Sequence, residues 1–169
     1  MKALKAELFS SDFVIGLSLF LIAITIFGIY YASLQSDIAD YKIRNEMQNK
    51  ANNIANLLVT SSGEPKDWDH TNVKVIGLYD SGLINLTKFE ELKEIEYYTS
   101  KRMLGVGGYE LYVELKNETG YILKNDSLVY EYGMEKSESA LQAFYVERYG
   151  LTNFNGNVTK TIIGIVVWL

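Results

Sequence analysis

The sequence predicts an α+β protein: a long N-terminal helix, membrane-spanning and then amphipathic, followed by a small antiparallel β-rich C-terminal head. Three observations predict it. Residues 13–36 are 24 consecutive positions without a charge. Residues 37–62 place apolar side chains mostly three and four apart, with no proline or glycine among them. From residue 63 onward, short β-branched and aromatic runs alternate with turn residues, the pattern of short strands.

Composition sets the outer limits. The chain has 169 residues, 48% of them apolar and 22% charged, enough apolar material to bury a core. With 16 Lys plus Arg against 21 Asp plus Glu, the formal charge is -5, the wrong sign for a phosphate-backbone binder, so nucleic acid is not an expected partner. Cysteine is absent, which removes disulfides, thiolate metal sites and cysteine nucleophiles. The mean hydropathy of -0.01 averages two unlike segments.

The uncharged run is the first of these. As a helix its 24 residues extend about 36 Å, against a hydrocarbon core of about 30 Å. Tyr30 and Tyr31 lie near one end, where amphipathic rings favour the membrane interface. A soluble domain this small rarely surrounds so long an apolar helix, and the run exceeds the roughly 7–15 residues of a cleaved secretory signal. Charge does not orient the span: Lys2 and Lys5 precede it, while Lys42, Arg44 and Lys50 follow. Four Asn-x-Ser/Thr sequons do suggest an orientation. They begin at Asn85, Asn117, Asn125 and Asn157, all beyond the span, where chance gives roughly 1.5. They favour an extracytoplasmic head with possible N-glycosylation at those four residues, and an amino terminus inside.

Leu34, Ile38, Tyr41, Met47, Ala51, Ile54 and Leu58 continue the helical pattern beyond the lipid, with Asp37, Asp40, Lys42, Arg44, Glu46 and Lys50 on much of the remaining surface. One helix over about residues 11–60 is expected, about 75 Å long, with Gly63 as a left-handed cap and Pro65 blocking its resumption. The apolar stripe reads as packing against the chain's own domain, with an exposed binding face as the alternative. Residues 73–78 are a candidate strand. A helix is expected from residues 85–87, with Thr87 as a cap and Phe89, Leu92, Ile95 and Tyr98 on one face, and a second short helix reaching Leu104. Residues 109–115 read as a strand, residues 121–123 and 128–132 as a hairpin across 124–127, and residues 140–149 and 158–169 as a long hairpin around residues 153–157, where Asn-Gly favours tight-turn geometry. Trp168 is expected to pack.

Residues with chemical potential are sparse. His70 is the only histidine, so no histidine-paired triad with a serine and no multi-histidine metal site can form. Asp67, Asp69 and His70 flank Trp68 in what reads as a solvated turn. Gly105, Gly107 and Gly108 precede a strand rather than a helix whose amino end might bind phosphate. Glu90, Glu91, Glu94 and Glu96 read as a solvated helix face. The 13 tyrosines fit packing in a small sheet better than a carbohydrate platform. No catalytic residue, cofactor or metal is expected, and the chain is read as a non-enzyme.

Lys5-Ala6-Glu7 followed by Phe9-Ser10-Ser11-Asp12-Phe13, Gly63-x-Pro65-x-x-Trp68, Ile76-Gly77-Leu78, Leu86-x-Lys88 and residues 104–113 together resemble archaeal type IV pilin-like proteins, the class III signal peptide family. Ala6-Glu7 stands where such pilins commonly have Gly-Gln. The resemblance implies a leader peptide over residues 1–6, cut between Ala6 and Glu7 by a prepilin-type peptidase. It further implies a transmembrane or filament-core helix over 7–36, its amphipathic continuation over 37–62, and an extracytoplasmic head over 63–169. The implied protein is single-pass at the cell membrane, or in a surface filament after processing. Its implied partners are the membrane, other pilin-like subunits and the assembly machinery. Asp12, the carboxylate abutting the span, suits a helix amino terminus through the macrodipole; in the resemblance it pairs with the new amino group of a neighbouring subunit and serves assembly. A permanently anchored extracytoplasmic binding module is the first alternative, and a membrane-tethered enzyme the second.

Overall fold

The computed structural model describes residues 11–125 and 128–169. The leader expectation over residues 1–6, with its junction of Ala6 and Glu7, lies outside the described residues. Two compact units divide the chain, one up to Ile43 and one spanning Arg44–Leu169.

Helix α1 runs over Ser11–Thr60 without a break, as the absence of internal proline allows. Within the first unit every residue from 12 to 42 is exposed. The apolar stripe therefore divides. Leu34, Ile38 and Tyr41 stay exposed, whereas Met47, Ala51, Ile54 and Leu58, joined by Ala55, are buried in the second unit. Packing against its own domain holds only for this last part of the stripe.

The helix does not end on a Gly63 cap. Its last carbonyls need partners, and later backbone supplies them: Leu78 N–H donates to Leu58 O and Tyr79 N–H to Ser61 O, both at 3.0 Å. Residues 73–78 do not form the expected strand: Leu78 joins the helix end, Lys74 and Val75 pair with Glu64, and Val73 N–H donates to Asp69 O. Gly63 has φ 80°, and a side chain there would collide with Trp68.

The second unit continues with β1 (Tyr79–Asp80), β2 (Leu83–Ile84), α2 (Leu86–Glu94), α3 (Tyr97–Met103) and β3 (Glu110–Asn117). Then follow β4 (Lys124–Asn125), β5 (Leu128–Val129), β6 (Glu131–Gly133), β7 (Ala143–Phe154) and β8 (Asn157–Trp168). The main sheet has the order β1-β2-β7-β8-β3-β6, antiparallel except where β2 meets β7, with Ile84 opposite Thr152. β4 and β5 form a separate ribbon. The expected hairpin, with residues 121–123 as its first strand and a turn across 124–127, is displaced: Lys124 and Asn125 pair with β5, Ile122 only bridges to Lys116, and residues 131–133 pair with β3. The long hairpin turns at Asn155 and Gly156, φ 52° and 82°, the pair of positive values that a two-residue turn of matching twist requires.

Register divides the sheet into two faces. Val146 lies opposite Ile165 and Arg148 opposite Ile163 on β8, while Leu111, Val113 and Leu115 face Val167, Ile165 and Ile163 from β3. Val146, Ile163, Ile165, Val167, Leu111, Val113 and Leu115 are all buried. Arg148 identifies it as the α1 side, donating to Asn56 Oδ1 at 2.9 Å and Asn52 Oδ1 at 2.8 Å. Tyr132 belongs to the same face through Val113, and its hydroxyl donates to Ile95 O and meets Ser100 Oγ, tying down the α2–α3 segment. The other face carries Tyr112, Glu114, Lys116, Tyr145, Glu147 and Trp168. Trp168 is half-buried there, its indole donating to Met134 O.

Two positions on one helical stripe should therefore respond differently. Leu58→Ala, at a fully buried site, should cost about 2–5 kcal/mol in chemical unfolding of the head. Tyr41→Ala, 70% exposed, should stay within about 0.5 kcal/mol.

Candidate functional site

The apolar part of α1 is the first element with functional meaning. It is long and apolar enough to cross a membrane, and its most apolar window has no residue buried. Two hydroxyls in it are satisfied locally: Ser18 Oγ donates to Val14 O at 2.7 Å and Thr25 Oγ1 to Leu21 O at 2.8 Å. This is the internal satisfaction that lipid demands. At the far end Phe27 stacks on Tyr31, whose hydroxyl accepts from Gln35 Nε2. Asp12 sits in the first turn, where a carboxylate meets the positive end of the helix dipole.

The four sequons divide by environment. Asn85, not Thr87, caps α2: its Oδ1 accepts from Lys88 N–H at 3.3 Å, and Thr87 lies exposed in the first turn. Asn117 Oδ1 accepts from Thr119 N–H, Thr119 Oγ1 and Tyr121 N–H, at 3.1, 2.7 and 2.9 Å, and so builds the turn after β3. Both are half-buried, whereas Asn125 and Asn157 are exposed.

Tyrosine–carboxylate pairs populate the head. Tyr97 donates to Glu110 Oε2 at 2.6 Å, and Glu110 also meets Lys101 Nζ at 3.0 Å. Tyr112 donates to Glu131, Tyr130 to Glu90 and Tyr145 to Glu147. Burial, then the neighbouring carboxylate, pushes the hydroxyls of Tyr130 and Tyr145 up to about 12, and the same causes raise Tyr97 and Tyr112 further. Burial opposes the charge on Glu110, but the bonds from Tyr97 and Lys101 prevail and lower it. These phenols act as donors: Tyr112 and Tyr145 bond along the sheet, whereas Tyr97 ties α3 to β3 and Tyr130 ties the β5–β6 link to α2. Tyr98 is 67% exposed on α3 and does not join the buried face of Phe89, Leu92 and Ile95.

Lys88 is a site residue that sequence reading passes over. Its side chain is buried, and Nζ donates to Ser62 O at 2.5 Å and Lys66 O at 2.7 Å, with the Trp68 ring beside it. The Trp68 indole shares Ser62 O and reaches Gly77 O at 2.9 Å. Burial lowers the Lys88 pKa. The available signal is spacing: Lys88, Leu92 and Ile95 share one helical face. Here an ammonium pins the chain that leaves α1.

Asp67, Asp69 and His70 do not converge. Asp69 Oδ1 accepts from Thr71 N–H, Thr71 Oγ1 and Asn72 N–H, while His70 Nδ1 meets Glu91 Oε2 at 2.6 Å. Among the described residues no group of three or more His, Asp or Glu is placed to hold a metal ion. The Gly105 to Gly108 break is a turn between α3 and β3. No family model matches the chain, and neither the curated proteins nor the solved structures give a match.

The His70–Glu91 pair predicts a pH window. Its bond to Glu91 raises His70 above 6.5, and that same bond lowers Glu91 below 4.5. A raised histidine stabilises fully below its unfolded value and loses this as pH rises through the folded value; a lowered carboxylate loses its share as pH falls. Thermal stability should therefore decline as pH rises from 6.5 through His70's folded value, and also at acid pH below 4.5. His70→Ala should flatten the upper decline in a melting series; an unchanged profile would assign that decline elsewhere.

Proposed function

We propose that this chain is a non-enzymatic, pilin-like cell-surface subunit, held in a membrane by the apolar part of α1 and carrying its head outside. One observation carries the reading. A single 50-residue helix is apolar and exposed through its first half, yet contributes its last turns to the core of a folded head. A segment of that kind suits storage in lipid and transfer into a bundle of like helices, because both surroundings satisfy the same apolar surface. Assembly of this kind needs no covalent chemistry in the subunit. Its partners are the membrane, other pilin-like subunits with their assembly machinery, and a prepilin-type peptidase acting between Ala6 and Glu7.

Asp12 has the assembly role in this proposal. An ionised carboxylate entering an apolar bundle is costly unless paired, and the new amino group of a neighbouring subunit supplies the partner. Intact-mass measurement of membrane-bound and surface-sheared protein tests both points. Surface material should begin at Glu7, and Asp12→Ala should insert and fold as before while its incorporation falls by about tenfold, equivalent to about 1.4 kcal/mol. Surface material that still begins at Met1 contradicts cleavage, and undiminished incorporation of Asp12→Ala leaves Asp12 only its place at the helix end.

A further inference from the structure

Among the described residues of the head, the exposed, large, non-aromatic apolar side chains fall at two ends of the main sheet. Leu151 and Val158 flank the Asn155-Gly156 turn at one end. Met134, Leu141 and Leu169 mark the other, where Glu110, Ala143 and Trp168 meet across three strands. Hydrogen bonds join this second group. Leu141 N–H donates to Leu169 O at 2.9 Å, Leu169 N–H to Gln142 O at 3.0 Å, and the Trp168 indole to Met134 O at 3.2 Å. Leu141 is 84% exposed, more than any other large apolar residue described.

This is also the end at which the chain enters the head. The head unit begins at Arg44, and Arg44 and Met47 line a groove of about 260 Å³ with Leu141, Gln142 and Phe144. Arg44 lies eight residues beyond Ser36, the last of the uncharged run, a stretch that reaches no further than about 29 Å at full extension. The rim is thereby tethered close to whatever holds the run. Three partly exposed side chains fall far short of the roughly 800 Å² per partner of a stable protein interface, so a second copy is not the occupant they fit. A tethered rim needs no such area, because the tether keeps it at high effective concentration beside lipid. The exposed charges of the same segments, Arg44 and Lys136 against Glu46, Glu135 and Glu138, nearly cancel, so the surface need not be anionic. A half-buried tryptophan among aliphatic side chains suits the interfacial layer, and the long stem of Arg44 can cover apolar surface while its guanidinium reaches phosphate.

Resting on the membrane-held reading above, we propose that Met134, Leu141 and Leu169 form a rim by which the head lies on the surface of the membrane that its own helix enters. The partner is a zwitterionic phospholipid surface, met by apolar side chains at the depth of the headgroups. The opposite end of the sheet, with Leu151 and Val158, faces water.

The test reconstitutes the full chain in phosphatidylcholine vesicles, with a nitroxide attached to single cysteines introduced one at a time. Power-saturation EPR reads collisions with oxygen, which concentrates in lipid, and with a nickel chelate, which stays in water. Leu141 and Met134 are both exposed, so a label at Leu141→Cys or Met134→Cys leaves the core intact. At both, the ratio of oxygen to nickel collisions should be several-fold higher than at Leu151→Cys and Val158→Cys. Ile22→Cys, in the uncharged run, reports the underlying membrane reading. Nickel preference at Leu141→Cys or Met134→Cys, with oxygen preferred at Ile22→Cys, overturns the rim contact and leaves the span. Few collisions with either reagent at Leu141→Cys and Met134→Cys show protein cover and overturn the lipid assignment in favour of a second copy. Equal ratios at the two ends of the sheet overturn the choice of this end. Nickel preference at Ile22→Cys overturns the membrane reading, and the rim contact with it.

Discussion

A helix whose residues 12–42 are all exposed must find surroundings for an uncharged run of 24 residues. Water is a poor one. At about 25 cal/mol per Å² of apolar surface, a run of leucine, isoleucine and phenylalanine this long is strongly driven out of water, while its backbone is already satisfied internally and can enter lipid without further cost. The local bonds of Ser18 and Thr25 meet that requirement for their own hydroxyls.

The same helix meets a different demand in its last turns. Met47, Ala51, Ile54, Ala55 and Leu58 are buried in the head, so the terminal carbonyls near Thr60 cannot rely on water and must be met by protein. Leu78 and Tyr79 N–H groups answer them. The chain that brings these groups is in turn held by the Trp68 indole and the Lys88 ammonium, which converge on Ser62 O. Arg148 performs the corresponding task from the sheet, bonding Asn52 and Asn56. The head is thus organised around the end of a helix, and tyrosine–glutamate pairs tie α2 and α3 to the sheet as well as bonding along it.

Much of this is legible in the sequence because it depends on periodicity. The bounds of α1, the two short helices, β3 and the Asn155-Gly156 hairpin all follow from local spacing and turn chemistry. What escapes depends on distant partners. Residues 73–78 have the β-branched content of a strand, but their backbone groups are taken by Glu64, Asp69 and, at Leu78, the end of α1. Gly63 looks like a helix cap until the collision with Trp68 gives it another reason. Thr87 and Asn85 are both competent caps, and only the bond to Lys88 N–H chooses Asn85. Lys88 reads as a surface lysine because nothing local announces two carbonyls waiting 22 and 26 residues upstream. The sequons at Asn85 and Asn117 are also turn and cap motifs, a double meaning that spacing alone cannot resolve.

The central claim is that one uninterrupted helix serves an apolar surround first and the head core afterwards. The chain contains no cysteine, so single substitutions give a clean readout with a membrane-impermeant thiol reagent applied to intact membranes. Ile22→Cys and Ile26→Cys should resist labelling until detergent is added, while Asn45→Cys and Asn53→Cys, at exposed positions of the head unit, should react at once. Reaction at Ile22→Cys as fast as at Asn53→Cys would contradict the account.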